Sequence, residues 1–263
     1  MRIAVIGGTG LIGTRIAARL QAAGHDVVVA SRASGVDSYS GTGLAEALAG
    51  AEALIDVSNS GYLDEREAME FFSGSTQNLI AYGAAAGVGH HVALSVVGTD
   101  RLARGEGGYF AAKEAQERLI RNSGRPYTIV HATQFFEFIQ AIADSASIRH
   151  VVRLSNAFIQ PMAADDVADA TIGAALAGPV DGMVEFGGPE RFRLHEIVQR
   201  GLRIRQDPRE VLADPLAEYF GTRLEEEDLL PGPDASLAPT RFADWLAAGG
   251  RINAAAVPLG LRG

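Results

Sequence analysis

Seven residues near the start of the chain, Gly7-Gly8-Thr9-Gly10-Leu11-Ile12-Gly13, constrain the fold more than any other feature. They follow Arg2-Ile6, a run rich in isoleucine and valine that reads as a strand. They open a stretch in which Leu11, Ile12, Ile16, Ala17 and Leu20 recur at helical spacing. Gly24 supplies a helix stop, and the β-branched run Asp26-Ala30 follows it. Strand, glycine turn, helix and strand within about 30 residues make one βαβ unit. Glycines at such a turn allow a tight reversal, close approach of a pyrophosphate, and close packing of helix on sheet. The opening of the helix then presents unpaired N–H groups and a partial positive charge to phosphate.

The residues ending the second strand separate NAD from NADP. An acidic residue there would bond a ribose 2′-hydroxyl. This chain has Ser31-Arg32, and a guanidinium can pair with a 2′-phosphate and stack on adenine while the serine adds a hydrogen bond. Asp37 lies further along and is not the obvious ribose ligand. NADP, as NADPH rather than NADH, is the cofactor expected.

Apolar runs at Ala53-Val57, His91-Val96 and Pro126-His131 alternate with helical patterns at Leu44-Leu48, Asp64-Ala86 and Tyr109-Arg121. This alternation predicts a Rossmann-type, doubly wound parallel sheet covered by helices on both faces, an α/β fold. A weak strand is expected at Val36-Tyr39. Past residue 132 the alternation loosens. Phe135-Ala143, Ala164-Leu176, His195-Ile204, Pro215-Phe220 and Arg241-Ala248 read as helices, and Val151-Leu154, Ala157-Gln160 and Val184-Phe186 as short strands. The chain therefore divides into a dinucleotide-binding core, 1–132, and a small substrate lobe, 133–263, with elements near 164–187 returning to the sheet.

Tyr109 and Lys113 stand four residues apart, so both polar tips share one helix face. Ser95 ends the preceding strand, at the sheet edge where open parallel sheets bind ligands. In such a trio Lys113 would lower the Tyr109 pKa and hold ribose hydroxyls. Tyr109 would pass a proton to a carbonyl oxygen as hydride arrives, and Ser95 would donate a hydrogen bond to that oxygen.

Composition narrows the alternatives. A net charge of −9 without a basic block disfavours nucleic acid. The absence of cysteine removes disulfides, thiol catalysis and thiolate metal sites. His90 and His91 would point to opposite faces of a strand, so no metal site is expected. No apolar run reaches the ~20 residues needed to span a bilayer. No signal-peptide pattern precedes the first strand, so a cytoplasmic location is expected.

With these residues in hand, the chain resembles the atypical, NmrA-like group of the short-chain dehydrogenase/reductase superfamily over nearly its full length. The likeness rests on the turn at 7–13, Ser31-Arg32, Asp56-Val57-Ser58-Asn59, Leu94-Ser95-Val96-Val97-Gly98, Tyr109 with Lys113, and the segments at 127–135, 160–167 and 186–190. The resemblance implies cofactor contacts from Gly7, Thr9, Gly10, Leu11, Ile12, Ser31, Arg32, Val57, Ser58 and Lys113, with Thr133 near the nicotinamide. Asn59 departs from the Asn-Asn-Ala-Gly of ordinary members, so their proton relay does not carry over.

The expected activity is NADPH-dependent reduction of a small carbonyl compound by a monomer or homodimer. A non-catalytic NADP sensor, or an epimerase, isomerase or dehydratase that retains NADP, is the alternative. Phe135, Phe136 and Phe138 either wall an apolar substrate pocket or pack the small lobe onto the sheet. Gln134 and Glu137 are possible polar contacts, and the acidic run Glu225-Asp228 reads as a solvated face or turn.

Overall fold

The computed structural model describes residues 1–60, 65–103 and 108–252. The first strand, β1 (Arg2–Ile6), leads through the glycine turn into α1 (Leu11–Ala22) and back to β2 (Asp26–Ala30). These bounds match the βαβ unit read from the sequence. A single 3₁₀ turn at Arg32–Ser34 follows, then α2 (Leu44–Leu48), β3 (Ala53–Asp56) and α3 (Glu65–Ala86). No strand forms at 36–39. Asp37 Oδ1 instead accepts the N–H groups of Tyr39 and Ser40, at 2.9 and 3.4 Å, folding this segment into turns. The expected start of the third helix at Asp64 lies outside the described residues.

The alternation continues with β4 (His90–Val96), α4 (Thr99–Leu102), α5 (Tyr109–Arg121) and β5 (Tyr127–Ala132). A 3₁₀ turn at Phe136–Phe138 leads into α6 (Ile139–Ser145), β6 (Ser147–Ile148), β7 (Val151–Leu154) and β8 (Phe158–Ile159). Next come α7 (Ala164–Ala177), β9 (Gly182–Gly187), β10 (Phe192–Arg193), α8 (Leu194–Ile204) and β11 (Glu210–Ala213). The chain then forms β12 (Glu218–Tyr219), β13 (Thr222–Arg223), β14 (Ser236–Leu237) and α9 (Phe242–Ala247).

Where a helix was expected over Pro215-Phe220, β12 and β13 pair antiparallel. The turn between them places both Phe220 (φ 48°) and Gly221 (φ 84°) in the left-handed region, which no helix accommodates.

Seven parallel strands form the central sheet in the order β14-β9-β5-β4-β3-β1-β2. This is a Rossmann-type, doubly wound fold. The order reverses between β1 and β3, and the crevice outside their carboxyl ends is where such sheets bind ligands. One face is covered by α1 and α7 over Ile3, Val5, Ile55, Val92 and Val130. The other carries α2, α3 and α5, seated on Ala4, Ile6, Leu54, Ala93 and Ile129.

A separate core built around Phe136, Ile139, Leu154, Ile197, Leu202, Phe242 and Trp245 fills the space between the later helices and the small sheet β11-β7-β6. Both β9 and β14 return from this half of the chain to the main sheet. Among the described residues no helix is long and apolar enough to cross a membrane.

Candidate active site

A cavity of about 860 Å³ runs along the carboxyl edge of the sheet across the point of reversal. At its centre lies the glycine turn. Gly7 adopts φ +78°, and a Cβ there would come within 2.8 Å of the Ser58 nitrogen. At Gly13 a Cβ would stand 2.2 Å from the Gly7 carbonyl oxygen, so helix and turn touch only because Gly13 lacks a side chain. Gly10 is the N-cap of α1. No side chain caps this helix end and no acidic residue lies in its first turn. The cavity thus meets an uncapped helix N-terminus at a place too narrow for a side chain, which fits a pyrophosphate.

Gly7, Thr9, Gly10, Leu11, Ile12, Ser31, Arg32, Val57 and Ser58 all line this cavity. Thr133 is not among its lining residues. It is buried beside Gly187, its N–H bonds the Phe186 carbonyl at 3.0 Å, and its hydroxyl has no partner among the described residues. Arg32 is exposed and makes no ion pair among the described residues. Asp37, expected to lie too far along, lines the same end of the cavity because the 36–42 segment folds back in turns.

At the other end stand Leu94, Ser95, Tyr109 and Lys113, with Asn59, Phe71, Phe135 and Phe138. The strand β4 delivers Ser95, and the first two turns of α5 deliver Tyr109 and Lys113. Tyr109 is half-buried, edge-on to Phe72 and Phe110, and its hydroxyl donates to Asn59 Oδ1 at 3.1 Å. Its desolvation among these rings raises the phenol pKa.

The expected lowering by Lys113 is therefore not the dominant effect here. The Lys113 ammonium is committed elsewhere. It donates to the Leu94 carbonyl at 2.9 Å and to Gln116 Oε1, and it lies 4.7 Å from the centre of the Phe72 ring. Gln116 in turn donates to Asp56 Oδ2 at 3.0 Å, while Asp56 Oδ1 accepts from the Ser58 N–H and hydroxyl. Burial lowers the Lys113 pKa to about 8, against the pull of Asp56 and Glu117.

Ser95 is arranged differently from the expected donor to a substrate oxygen. Its hydroxyl donates to Glu117 Oε1 at 2.5 Å, and the same oxygen accepts from His131 Nε2 at 2.9 Å. Glu117 Oε2 accepts from Arg121 Nη1 at 3.1 Å. Burial works against the Glu117 carboxylate. His131 and Ser95 outweigh it, and the net pKa is lowered. Burial likewise opposes charge on His131, but bonds to Glu117 and Glu185 push its pKa up to about 9.

Sequence reasoning missed this buried cluster. Glu117 continues the Tyr109, Lys113 spacing by four more residues, a signal that was available. His131 and Glu185 are joined to it only by strand register.

The three phenylalanines divide between the two roles considered for them. Phe135 and Phe138 line the cavity, ring centres 5.0 Å apart and nearly parallel. Phe136 turns away into the lobe core, against Phe242 and Trp245. Glu137 accepts the Ala164 N–H at 3.1 Å, at the start of α7, and takes no part in the cavity. Gln134 is buried, and its side-chain amide nitrogen and oxygen have no partner among the described residues. Glu225-Asp228 forms a largely exposed turn.

A family model described as NAD(P)H-binding matches residues 7–176, well over half of the chain. The chain belongs to this NAD(P)H-binding family. No curated protein matches it.

Among solved structures, MoeE5 in complex with UDP-glucose and NAD superposes with a TM-score of 0.69 at 17% identity, covering 94% of this chain and 96% of its own. DesIV, a dTDP-glucose 4,6-dehydratase from Streptomyces venezuelae with NAD bound, gives 0.68 at 18%, covering 96% of each chain. A short-chain dehydrogenase/reductase superfamily protein from Agrobacterium tumefaciens with bound NAD gives 0.68 at 15%, covering 95% and 96%. This NAD(P)H-binding protein thus shares the fold of these three structures over nearly its whole length.

Proposed function

We propose that the protein is an NADPH-dependent oxidoreductase of the atypical short-chain, NmrA-like kind that reduces a carbonyl group on a small molecule. The observation that carries this reading is the placement of Tyr109 and Lys113 in the same cavity as the uncapped glycine turn. Bound there, the cofactor would supply a hydride to a carbonyl carbon.

The residues of the chain do the rest. Gly7, Thr9, Gly10, Leu11 and Ile12 would hold the pyrophosphate through backbone N–H groups. Arg32, which makes no ion pair among the described residues, and Ser31 would take the 2′-phosphate, while Val57 and Ser58 would flank the dinucleotide. Lys113 would bond ribose hydroxyls. Tyr109, kept as the neutral phenol by burial, holds its proton for a developing alkoxide. Ser95 stands beside the reacting oxygen. Phe135 and Phe138 exclude water and receive an apolar portion of the substrate.

The raised Tyr109 pKa and the engaged Ser95 proton favour a second reading, a protein that binds NADP(H) and senses it without turnover. The two separate in one experiment, which follows NADPH absorbance with a panel of aromatic and alicyclic ketones and aldehydes. The reductase reading expects steady oxidation. Tyr109→Phe should then lower kcat by about 10²- to 10⁴-fold with little change in NADPH affinity. Tight NADPH binding with no oxidation across the panel would leave the sensor. An epimerase or dehydratase would convert substrate without net loss of NADPH.

A further inference from the structure

Ser95, His131 and Glu185 are cross-strand partners in one row, on the neighbouring strands β4, β5 and β9. Glu117 reaches them from α5, and apart from Glu185 the group is almost wholly buried. The contacts of Glu117 and of Thr99 settle the direction of the hydrogen bonds around Ser95.

The Glu117 carboxylate is ionised, held by Arg121 on one oxygen and by His131 on the other. It has no hydrogen to give, so the hydrogen in the 2.5 Å contact belongs to Ser95. The hydroxyl of Thr99, 3.5 Å from Ser95 Oγ, is spent on the Val96 carbonyl at 2.5 Å. Ser95 has a single hydrogen and two lone pairs. Its hydrogen points into the protein, and what it offers the cavity it lines is an acceptor.

We propose that Glu117, acting through Ser95, makes this corner of the cavity a hydrogen-bond acceptor, so that the ligand recognised there presents a hydroxyl rather than a carbonyl oxygen. The inference rests on the carbonyl–alcohol chemistry proposed above and specifies which member of the pair the site recognises. Glu117 is a positioning residue and Ser95 the group in contact.

A serine with a free rotor would serve ketone and alcohol alike. This one can turn outward only by leaving a buried carboxylate oxygen short of a charge-assisted bond. Across a reduction, the carbonyl carbon gains a hydride, the oxygen gains the Tyr109 proton, and the phenolate is reprotonated from solvent. Only after that step does the oxygen carry a hydrogen that Ser95 can accept. Ser95 therefore favours the alcohol and lends nothing to polarising the carbonyl.

The test uses the purified full chain and two mixtures that cannot react: 1-phenylethanol with saturating NADPH, and acetophenone with saturating NADP⁺. Dissociation constants are measured by calorimetry or ligand-observed NMR. Ser95→Ala should weaken the alcohol about tenfold, the size of one lost hydrogen bond, and change the ketone less than about twofold. Ser95→Thr should restore the alcohol. Glu117→Gln should weaken the alcohol while leaving the ketone equal or tighter, a split that general damage to the site would not produce.

A Ser95→Ala loss that falls equally or mainly on the ketone would overturn the proposal. So would no loss on either probe, an unchanged preference in Glu117→Gln, or failure of the NADPH-loaded wild type to hold the alcohol. Failure to bind NADPH at all is a separate outcome, which removes the cofactor reading and this proposal with it.

Discussion

At the residue scale, the glycine turn makes two different demands. At Gly13 a side chain would drive into the Gly7 carbonyl, so the requirement is one of folding. At Gly10 a Cβ would meet only the Gly7 oxygen, at 3.2 Å, a tight contact relieved by a shift of a few tenths of an ångström, and the residue lines the cavity. Gly10→Ala should therefore lose much less stability than Gly13→Ala and lose most cofactor affinity. Gly13→Ala should be destabilised by several kcal/mol, on the order of an overpacked core. Thermal unfolding with and without NADPH distinguishes them, and equal loss of stability in both variants would contradict this division.

The turn and the Tyr109, Lys113 pair were legible in the sequence because each is local, a spacing on one helix or one loop. The direction of the Ser95 hydroxyl was not, since it depends on Glu117, Arg121 and His131, which lie 22 to 36 positions away in the chain.

At the scale of elements, the strands and helices of the first half were readable because apolar periodicity and glycine stops agree. The bounds of β1, β2, α2 and α5 coincide with their expected ranges. The failures at 36–39 and 215–220 are turns in which a side-chain carboxylate or a positive φ overrides a weak apolar pattern.

The ladder Ser95, His131, Glu185 under α5 ties three strands to one helix and gives them a pH dependence. Burial disfavours the charged imidazole, but its two carboxylate partners prevail and hold the folded pKa near about 9, above the ordinary 6.5. The stabilisation is full below pH 6.5 and fades as pH rises through about 9. At about 1.4 kcal/mol per pH unit the gap corresponds to roughly 3 kcal/mol. Urea unfolding of the wild type and of His131→Gln at pH 6 and pH 10 should show a difference that shrinks markedly at the higher pH. A gap of constant size would exclude this role.

At the scale of the whole molecule, the sheet supplies the crevice and the later half of the chain closes one end of it. The 3₁₀ turn after β5 sends Phe135 and Phe138 to the cavity and Phe136 into the lobe core. Removing Phe136 should therefore act on both stability and the site. Phe136→Ala is expected to cost about 3–5 kcal/mol by urea unfolding, with ligand binding at the Phe135–Phe138 wall weakened more than NADPH binding. A variant of unchanged stability would show that the lobe core does not anchor this wall.

The claim beneath all of these is that a dinucleotide lies with its pyrophosphate at the N-terminus of α1 and its 2′-phosphate on Arg32. Calorimetric titration of the purified protein with NADPH and with NADH tests it most directly. NADPH should give a saturable heat and NADH a weaker one, a preference that disappears or reverses in Arg32→Glu. No heat with either dinucleotide would contradict it.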